Sequence, residues 1–401
     1  MNQDGGVMEQ EEPFRIGGVV EDEFFTNREA EVGRLARALR TPQDHLVVFG
    51  PRRIGKTSIM RKAQETRRNA GQPVVLVDFS TASSLAEMAT RLLQAATKEL
   101  GRTWSDIAMS LVQRLKVRVT MEPDIASGFV LPSVSMEISE DEGVQRETLG
   151  NALDAIESLA QSKGKHVGLM IDEFQEIARF GGEVAEAHLR GIVQHHRHVT
   201  YILAGSDDRL IQAMMEPSRP FYKLLAPLEV GPIDAMHMSS WIEERLAIAG
   251  FSANGLGAIV VSAAGERTRD IVQLAQAVSN VAARGVQLDE SAVEKAFASI
   301  VTASDAPYRA LWASLSRLQQ QLLRMLCIRS TGLTTAATRR EFGITVASGS
   351  IVTGLNALID RGLVVKRESR YAFDDPFMRG WVVMNALADI GKSRGVLVLP
   401  E

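Results

Sequence analysis

The sequence predicts an α/β protein with three parts: a parallel-sheet core, a helical domain, and a winged helix-turn-helix. Three observations carry this. Up to Val230, short apolar runs alternate with helix-like segments, the order of a parallel sheet covered on both faces. From Pro232 to about Ile300 the pattern turns fully helical. Beyond that, three helix-like segments are followed by LVVKRESRYAF, two short strands around a charged turn, as in a winged helix-turn-helix. The expected boundaries are a disordered acidic stretch at 1–20, the core at 21–232, a helical lid at 233–304, and the winged helix-turn-helix with its tail at 305–401.

The 401 residues suffice for two or three domains of about 150 residues each. The chain is 45% hydrophobic and 23% charged, an ordinary soluble balance, and no apolar run approaches the roughly 18 residues of a membrane span. Its acidic, polar N-terminus fits neither a secretory signal nor a transit peptide. Cys327 is the only cysteine. Its apolar setting points to a buried thiol in a reducing, cytoplasmic compartment. The net charge of −4 is unevenly spread. From Asp305 onward 13 Lys and Arg face 8 Asp and Glu, against 32 and 41 in the rest. A basic end on an acidic body is the asymmetry of a chain that could meet nucleic acid.

Taken in order, Asn27 is a candidate N-cap for a helix carrying Leu35 and Leu39 at helical spacing. A helix in this place, just before the first strand, either contributes adenine contacts through Asn27 and Arg28 or simply docks. Leu46 to Phe49 is a buried strand. Gly50, Pro51, Arg52, Arg53, Ile54, Gly55, Lys56, Thr57 and Ser58 follow it, and Thr57 to Thr66 has helix-forming composition. Glycine, four residues, glycine, lysine, threonine between a strand and a helix is the pattern of a phosphate-binding loop. The glycines let backbone N–H groups turn toward phosphates, and the helix adds its positive dipole end. Lys56 is expected to reach the β- and γ-phosphates of ATP, and Thr57 to ligate Mg²⁺. Arg52 and Arg53 either touch the nucleotide or sit on the rim in solvent.

Pro73 to Phe79 is a second strand and Leu85 to Leu100 an amphipathic helix. Val117 to Ser139 alternates apolar and polar residues around Pro123 and Pro132, and reads as an insertion with a hairpin. Leu149 to Ser162 is helical. Val167 to Ile171 is a strand ending in Asp172 and Glu173. A carboxylate at such a tip can hold Mg²⁺, and its neighbour can act as general base on the attacking water. Lying 115 residues beyond Thr57, Asp172 and Glu173 complete a hydrolytic site. Val199 to Ala204 is the next strand, with Ser206 at its tip, and Leu228 to Val230 opens the last. Ligands of such sheets bind at the carboxyl ends of the strands. His195, His196 and His198 have metal-like spacing, with no Cys or carboxylate beside them in sequence.

Leu311 to Cys327, Thr335 to Phe342 and Ser348 to Arg361 supply the three helices of the winged helix-turn-helix. Arg339, Arg340, Lys366, Arg367 and Arg370 could contact the phosphates of double-stranded DNA. The third helix offers only uncharged Ser348, Ser350, Thr353 and Asn356, and the alternative is a winged helix that folds back on the core or docks a protein.

On these residues the chain resembles the archaeal-type P-loop ATPases, grouped with the STAND branch of AAA-like NTPases. The resemblance spans about Phe24 to Trp381. It rests on FFTNREAEV, FGPRRIGKTS, LMIDEFQEI, LRGIVQHHRHVTYILAGS, RPFYK and DDPFMRGWV. It implies ATP binding and hydrolysis with Mg²⁺, a helical lid and a C-terminal winged helix. It also implies a sensor role for Ser206 beside the catalytic Lys56 and Glu173. Arg219 or Lys223 would act as a finger or phosphate sensor, across a subunit boundary if the chain assembles with copies of itself. Relatives often carry Arg in the place of Lys223, which loses the bidentate fork. Many also carry Gly-x-Pro in the lid where this chain has Gly265-Glu266-Arg267. Arg267 or Arg269 then remains as the lid's cation toward the phosphates.

Overall fold

The computed structural model describes residues 12–18, 22–100, 141–206, 211, 213–281, 283, 285–387 and 397, and the backbone of 117–124 and 129–136. These fall into two compact units, 19–231 and 1–18 with 232–401.

The first unit is built on β1 (Leu46–Phe49), β2 (Val74–Asp78), β5 (Val167–Asp172), β6 (Val199–Gly205) and β7 (Ala226–Glu229). They are hydrogen-bonded in the order β2-β5-β6-β1-β7, and every pairing is parallel. Side chains alternate between the two faces of a strand, and the burial follows. Leu46, Val48, Met170 and Ile202 share one core with Leu35 and Leu39 of α1 (Glu29–Arg40) and Ile59 and Met60 of α2 (Lys56–Asn69). Val47, Leu169, Ile171 and Leu203 share the other with α3 (Leu85–Leu100), α4 (Glu142–Ser162) and α5 (Glu176–Val193). The insertion holds an antiparallel pair, β3 (Val117–Asp124) with β4 (Phe129–Met136). Register sets Asp78 beside Asp172 and Phe49 beside Gly205. The chemistry-bearing strand ends therefore share one edge.

The second unit starts with the helices α6 (Ala235–Ile248), α7 (Leu256–Ala264), α8 (Thr268–Ser279), α9 (Glu290–Ala303) and α10 (Asp305–Ala313). There follow α11 (Arg317–Leu326), α12 (Ala336–Glu341), α13 (Ser348–Asp360), the antiparallel β8 (Val364–Arg367) and β9 (Arg370–Phe373), and α14 (Pro376–Asn385). Three helices and a hairpin thus follow one another in the expected order.

Three expectations need correction. The single helix expected over Leu311 to Cys327 is two, because Ser316 and Gln319 form a reciprocal capping box that starts α11 afresh. The stretch 1–20 is not disordered throughout. Phe14 is fully buried against Trp241, its N–H donates to Gln276 Oε1 at 3.2 Å, and Arg245 donates to the Pro13 carbonyl at 2.9 Å. Residues 1–11 lie outside the described residues. Finally, the segments expected as lid and as winged helix-turn-helix are not separate bodies. Phe377, Trp381 and Val382 of α14 are buried in the lid core with Phe297 and Val301 of α9, and the Phe297 and Phe377 rings lie 5.2 Å apart.

Candidate nucleotide-hydrolysing site

The loop between β1 and α2 is held in a shape few residues adopt. Gly50 has φ 151° and Gly55 φ 106°, values that suit glycine. At Gly50 space matters as well, since a Cβ there would overlap the Val230 carbonyl oxygen. Lys56 opens α2 and is only 6% exposed. Its ammonium donates to the carbonyls of Gly50 at 2.6 Å and Pro51 at 3.0 Å. The cation therefore lies within the loop that the sequence assigns to phosphates.

Thr57 brings the second strand end in. Its Oγ1 donates to Asp172 Oδ2 at 2.6 Å, while Asp172 Oδ1 accepts from the Glu173 N–H at 3.0 Å. Burial pushes the Asp172 carboxyl up to about 6, and the nearby Glu173 and Asp78 carboxylates add to the rise while the Thr57 hydroxyl opposes it. A hydroxyl and a buried carboxylate, with two more carboxylates close by, are hard oxygen donors in a negative field. Such a set fits Mg²⁺.

Glu173 has φ 54°, a left-handed conformation that non-glycine residues adopt at a cost. Its Oε2 accepts from Ser206 Oγ at 2.7 Å and from Gln175 Nε2, and Arg52 Nε donates to Ser206 Oγ at 3.3 Å. Lys56, Thr57, Asp172, Glu173, Ser206 and Arg52 are thus joined along one edge.

Other expected residues are engaged elsewhere. Arg28 is buried and bonded to protein groups, namely Glu31 and the carbonyls of Ile54 and Gly231. Arg219 pairs with Glu183 and with the fully buried Glu186 at 2.6 Å. The Lys223 ammonium lies 5.3 Å from the centre of the Tyr222 ring. Arg267 pairs with Asp374, and Arg269 is exposed. The histidines do meet carboxylates, contrary to the sequence reading. Topology delivers Asp154 to His196 and Glu157 to His198 from α4, each at 2.9 Å. Among the described residues no three or more His, Cys, Asp or Glu side chains gather into a metal site, the histidines included. The histidines also stand at the start of β6, a strand's length of roughly 20 Å from Ser206.

Two contributors escaped the sequence reading. Asp78 ends an apolar run just as Asp172 does, and that signal was available. Gln175 sits under Gly205, where a Cβ would strike its side-chain oxygen, and only the fold reveals this.

The buried charge leads to a stability prediction. With a folded pKa near 6 against 3.8 unfolded, the folded state holds the Asp172 proton more tightly. Ionising it costs stability progressively as pH rises from 4 to 6, by about 3 kcal/mol in full. Asp172→Asn is therefore expected to stabilise the nucleotide-free chain by roughly 2 kcal/mol at pH 7.5 in urea unfolding, since an amide still meets Thr57. The gain should shrink below pH 5. Equal stability of the two chains at pH 7.5 would contradict this.

Comparison with known proteins follows the same line. Residues 25–238, just over half of the chain, match a family described as an ATPase domain predominantly from Archaea. No curated protein matches the sequence. Among solved structures, the Walker-type ATPase of Pyrococcus abyssi is similar, with TM-score 0.63 and 14% identity over 92% of this chain and 99% of that one. The ORC1 protein of Aeropyrum pernix, solved in complex with DNA, gives TM-score 0.47 and 14% identity over 92% and 95%. The ORC2 protein of the same organism, solved as ADPNP-ADP complexes, gives 0.44 and 15% over 96% and 99%. At such identity the first of these is a likeness of fold.

Proposed function

Starting from the fact that the chain belongs to the ATPase domain family found predominantly in Archaea, we propose that it is an Mg²⁺-ATP-dependent molecular switch. Its core is a nucleotide-binding ATPase. The further reading is that nucleotide state at the core sets the position of the lid together with the winged helix-turn-helix.

One observation carries the catalytic part: the Thr57 hydroxyl and Asp172 carboxylate meet at 2.6 Å, with Lys56 and Glu173 on either side in sequence. Lys56 would exchange the Gly50 and Pro51 carbonyls for the β- and γ-phosphate oxygens, whose negative charge attracts the ammonium more strongly than a neutral carbonyl does. Thr57 and Asp172 would hold Mg²⁺, which when bound neutralises phosphate charge. The free Oε1 of Glu173 would take a proton from the attacking water as its oxygen bonds to the γ-phosphorus and the ADP oxygen leaves. Ser206 and Gln175 fix that carboxylate by holding Oε2.

Ion pairs support the switch. Arg267 and Glu266 of the lid pair with Asp374 and with Arg367 of the hairpin, and α14 lies in the lid core. Lid and winged helix-turn-helix would then move as one body. A second reading, a DNA-binding regulator whose conformation is set by nucleotide, keeps the support of the basic C-terminal segment. Several of its cations are nevertheless already engaged. Arg367 meets Glu266, Lys366 lies 5.5 Å from the centre of the Tyr371 ring, and Arg339 donates to the Val346 carbonyl.

Phosphate release with and without double-stranded DNA separates the two. The switch predicts equal release in both. A severalfold stimulation by DNA, removed by Lys366→Glu, Arg367→Glu and Arg370→Glu together, would replace it with the second reading.

A further inference from the structure

Arg28 stands where the chain asks for strain. Asn27 has φ 60° and Arg28 φ 78°, two successive non-glycine residues in the left-handed region, which persist only where the surroundings impose them. The Asn27 side chain accepts the Arg28 N–H at 2.6 Å, and the Arg28 carbonyl accepts from Val32 to begin α1. The outcome is a guanidinium turned into the core at 5% exposure. Nη1 donates to Glu31 at 2.9 Å, and Nη2 donates to two carbonyls, Gly231 at 2.7 Å and Ile54 at 3.4 Å.

Those two carbonyls belong to different functions. Ile54 lies in the phosphate loop, and Gly231 is the last residue of the core before the chain passes into the second unit. The same exit segment is held from its other side. The Val230 N–H donates to the Phe49 carbonyl at 2.8 Å, and the Val230 carbonyl lies flush against Gly50.

The peptide between Ile54 and Gly55 is planar and trans, so its C=O and N–H point in opposite directions. In the motif's arrangement the Gly55 N–H would belong to the phosphate cradle. Any rotation that aims it at a phosphate also re-aims the Ile54 carbonyl, which meets Arg28. The Ile54 bond is long and so has room to tighten, while the Gly231 bond is already short.

We propose that Arg28 is a positioning residue that reports phosphate-loop occupancy to the chain segment leading into the lid, by sharing one guanidinium nitrogen between Ile54 and Gly231. Glu31 holds the guanidinium in plane. Arginine is required because one rigid fork serves the carboxylate and both carbonyls, which an ammonium on a flexible stem does not. This rests on the reading that the loop binds ATP.

Hydrogen exchange of the full chain, with and without a non-hydrolysable ATP analogue and Mg²⁺, tests it, with analogue binding measured by calorimetry on the same samples. In wild type the analogue should slow exchange severalfold both in the phosphate loop, 50–58, and in the exit segment, 230–236. Arg28→Gln should still bind the analogue and protect the loop, while the exit segment no longer responds. Arg28→Lys should behave like Arg28→Gln, and it carries the test if the glutamine chain does not fold. An exit segment that responds equally in either variant overturns the proposal, as does a wild type that binds the analogue with no response there. A wild type that fails to bind the analogue overturns the ATP reading and this one with it.

Discussion

Lys56→Ala is expected to lower ATP affinity by at least about 10², because buried phosphate oxygens lose their principal cation and charge-assisted bonds are worth about 1.5–3 kcal/mol each. The loop itself should survive. Its shape is fixed by Gly50 against Val230, by the left-handed Gly55, and by Ile54 buried in the sheet core. The carbonyls of Gly50 and Pro51 then lose the ammonium they now accept from, at some cost in stability. Calorimetry should show lost binding, while the melting temperature in the absence of nucleotide falls but the chain stays folded. Unchanged ATP affinity would remove Lys56 from the site.

Glu173→Gln should do the opposite, keeping ATP affinity and lowering the hydrolysis rate by about 10² or more, the scale of a general base. The substitution is conservative here for a structural reason. Ser206 Oγ and Gln175 Nε2 both donate to one oxygen of Glu173, and an amide oxygen can accept both. The amide nitrogen then takes the place of the free carboxylate oxygen and cannot accept a proton. Single-turnover measurements should find the loss in the chemical step. Wild-type hydrolysis would place the base elsewhere.

β1, β2, β5 and β6 were legible because largely buried parallel strands are written as plain apolar runs, whereas β7 is mostly exposed and starts before the expected Leu228. Lys56, Thr57, Asp172, Glu173 and Ser206 were legible as candidates that one edge brings together, because each sits at a strand tip or in a loop of fixed spacing. Contacts made across the fold were not legible. Arg28 reaches Gly231 over 203 positions of sequence, and nothing local distinguishes it from an arginine that touches a nucleotide. Glu186 hides a buried partner for Arg219 inside an ordinary helix. Phe14 is one aromatic in a polar stretch, and its burial depends on Trp241 and Gln276. The break before α11 could have been read, since Ser316 and Gln319 spell a capping box. There the apolar periodicity across it was the more conspicuous signal.

The identity of the nucleotide left on the protein tests the central claim most directly. Wild type and Glu173→Gln are each incubated with ATP and Mg²⁺, released phosphate is followed, and the bound nucleotide is then extracted and identified. Lys56, Thr57, Asp172, Glu173 and Ser206 acting as one hydrolytic site predict ADP with released phosphate for wild type, and ATP still bound to the variant. The same nucleotide on both chains, with the same phosphate release, would contradict it.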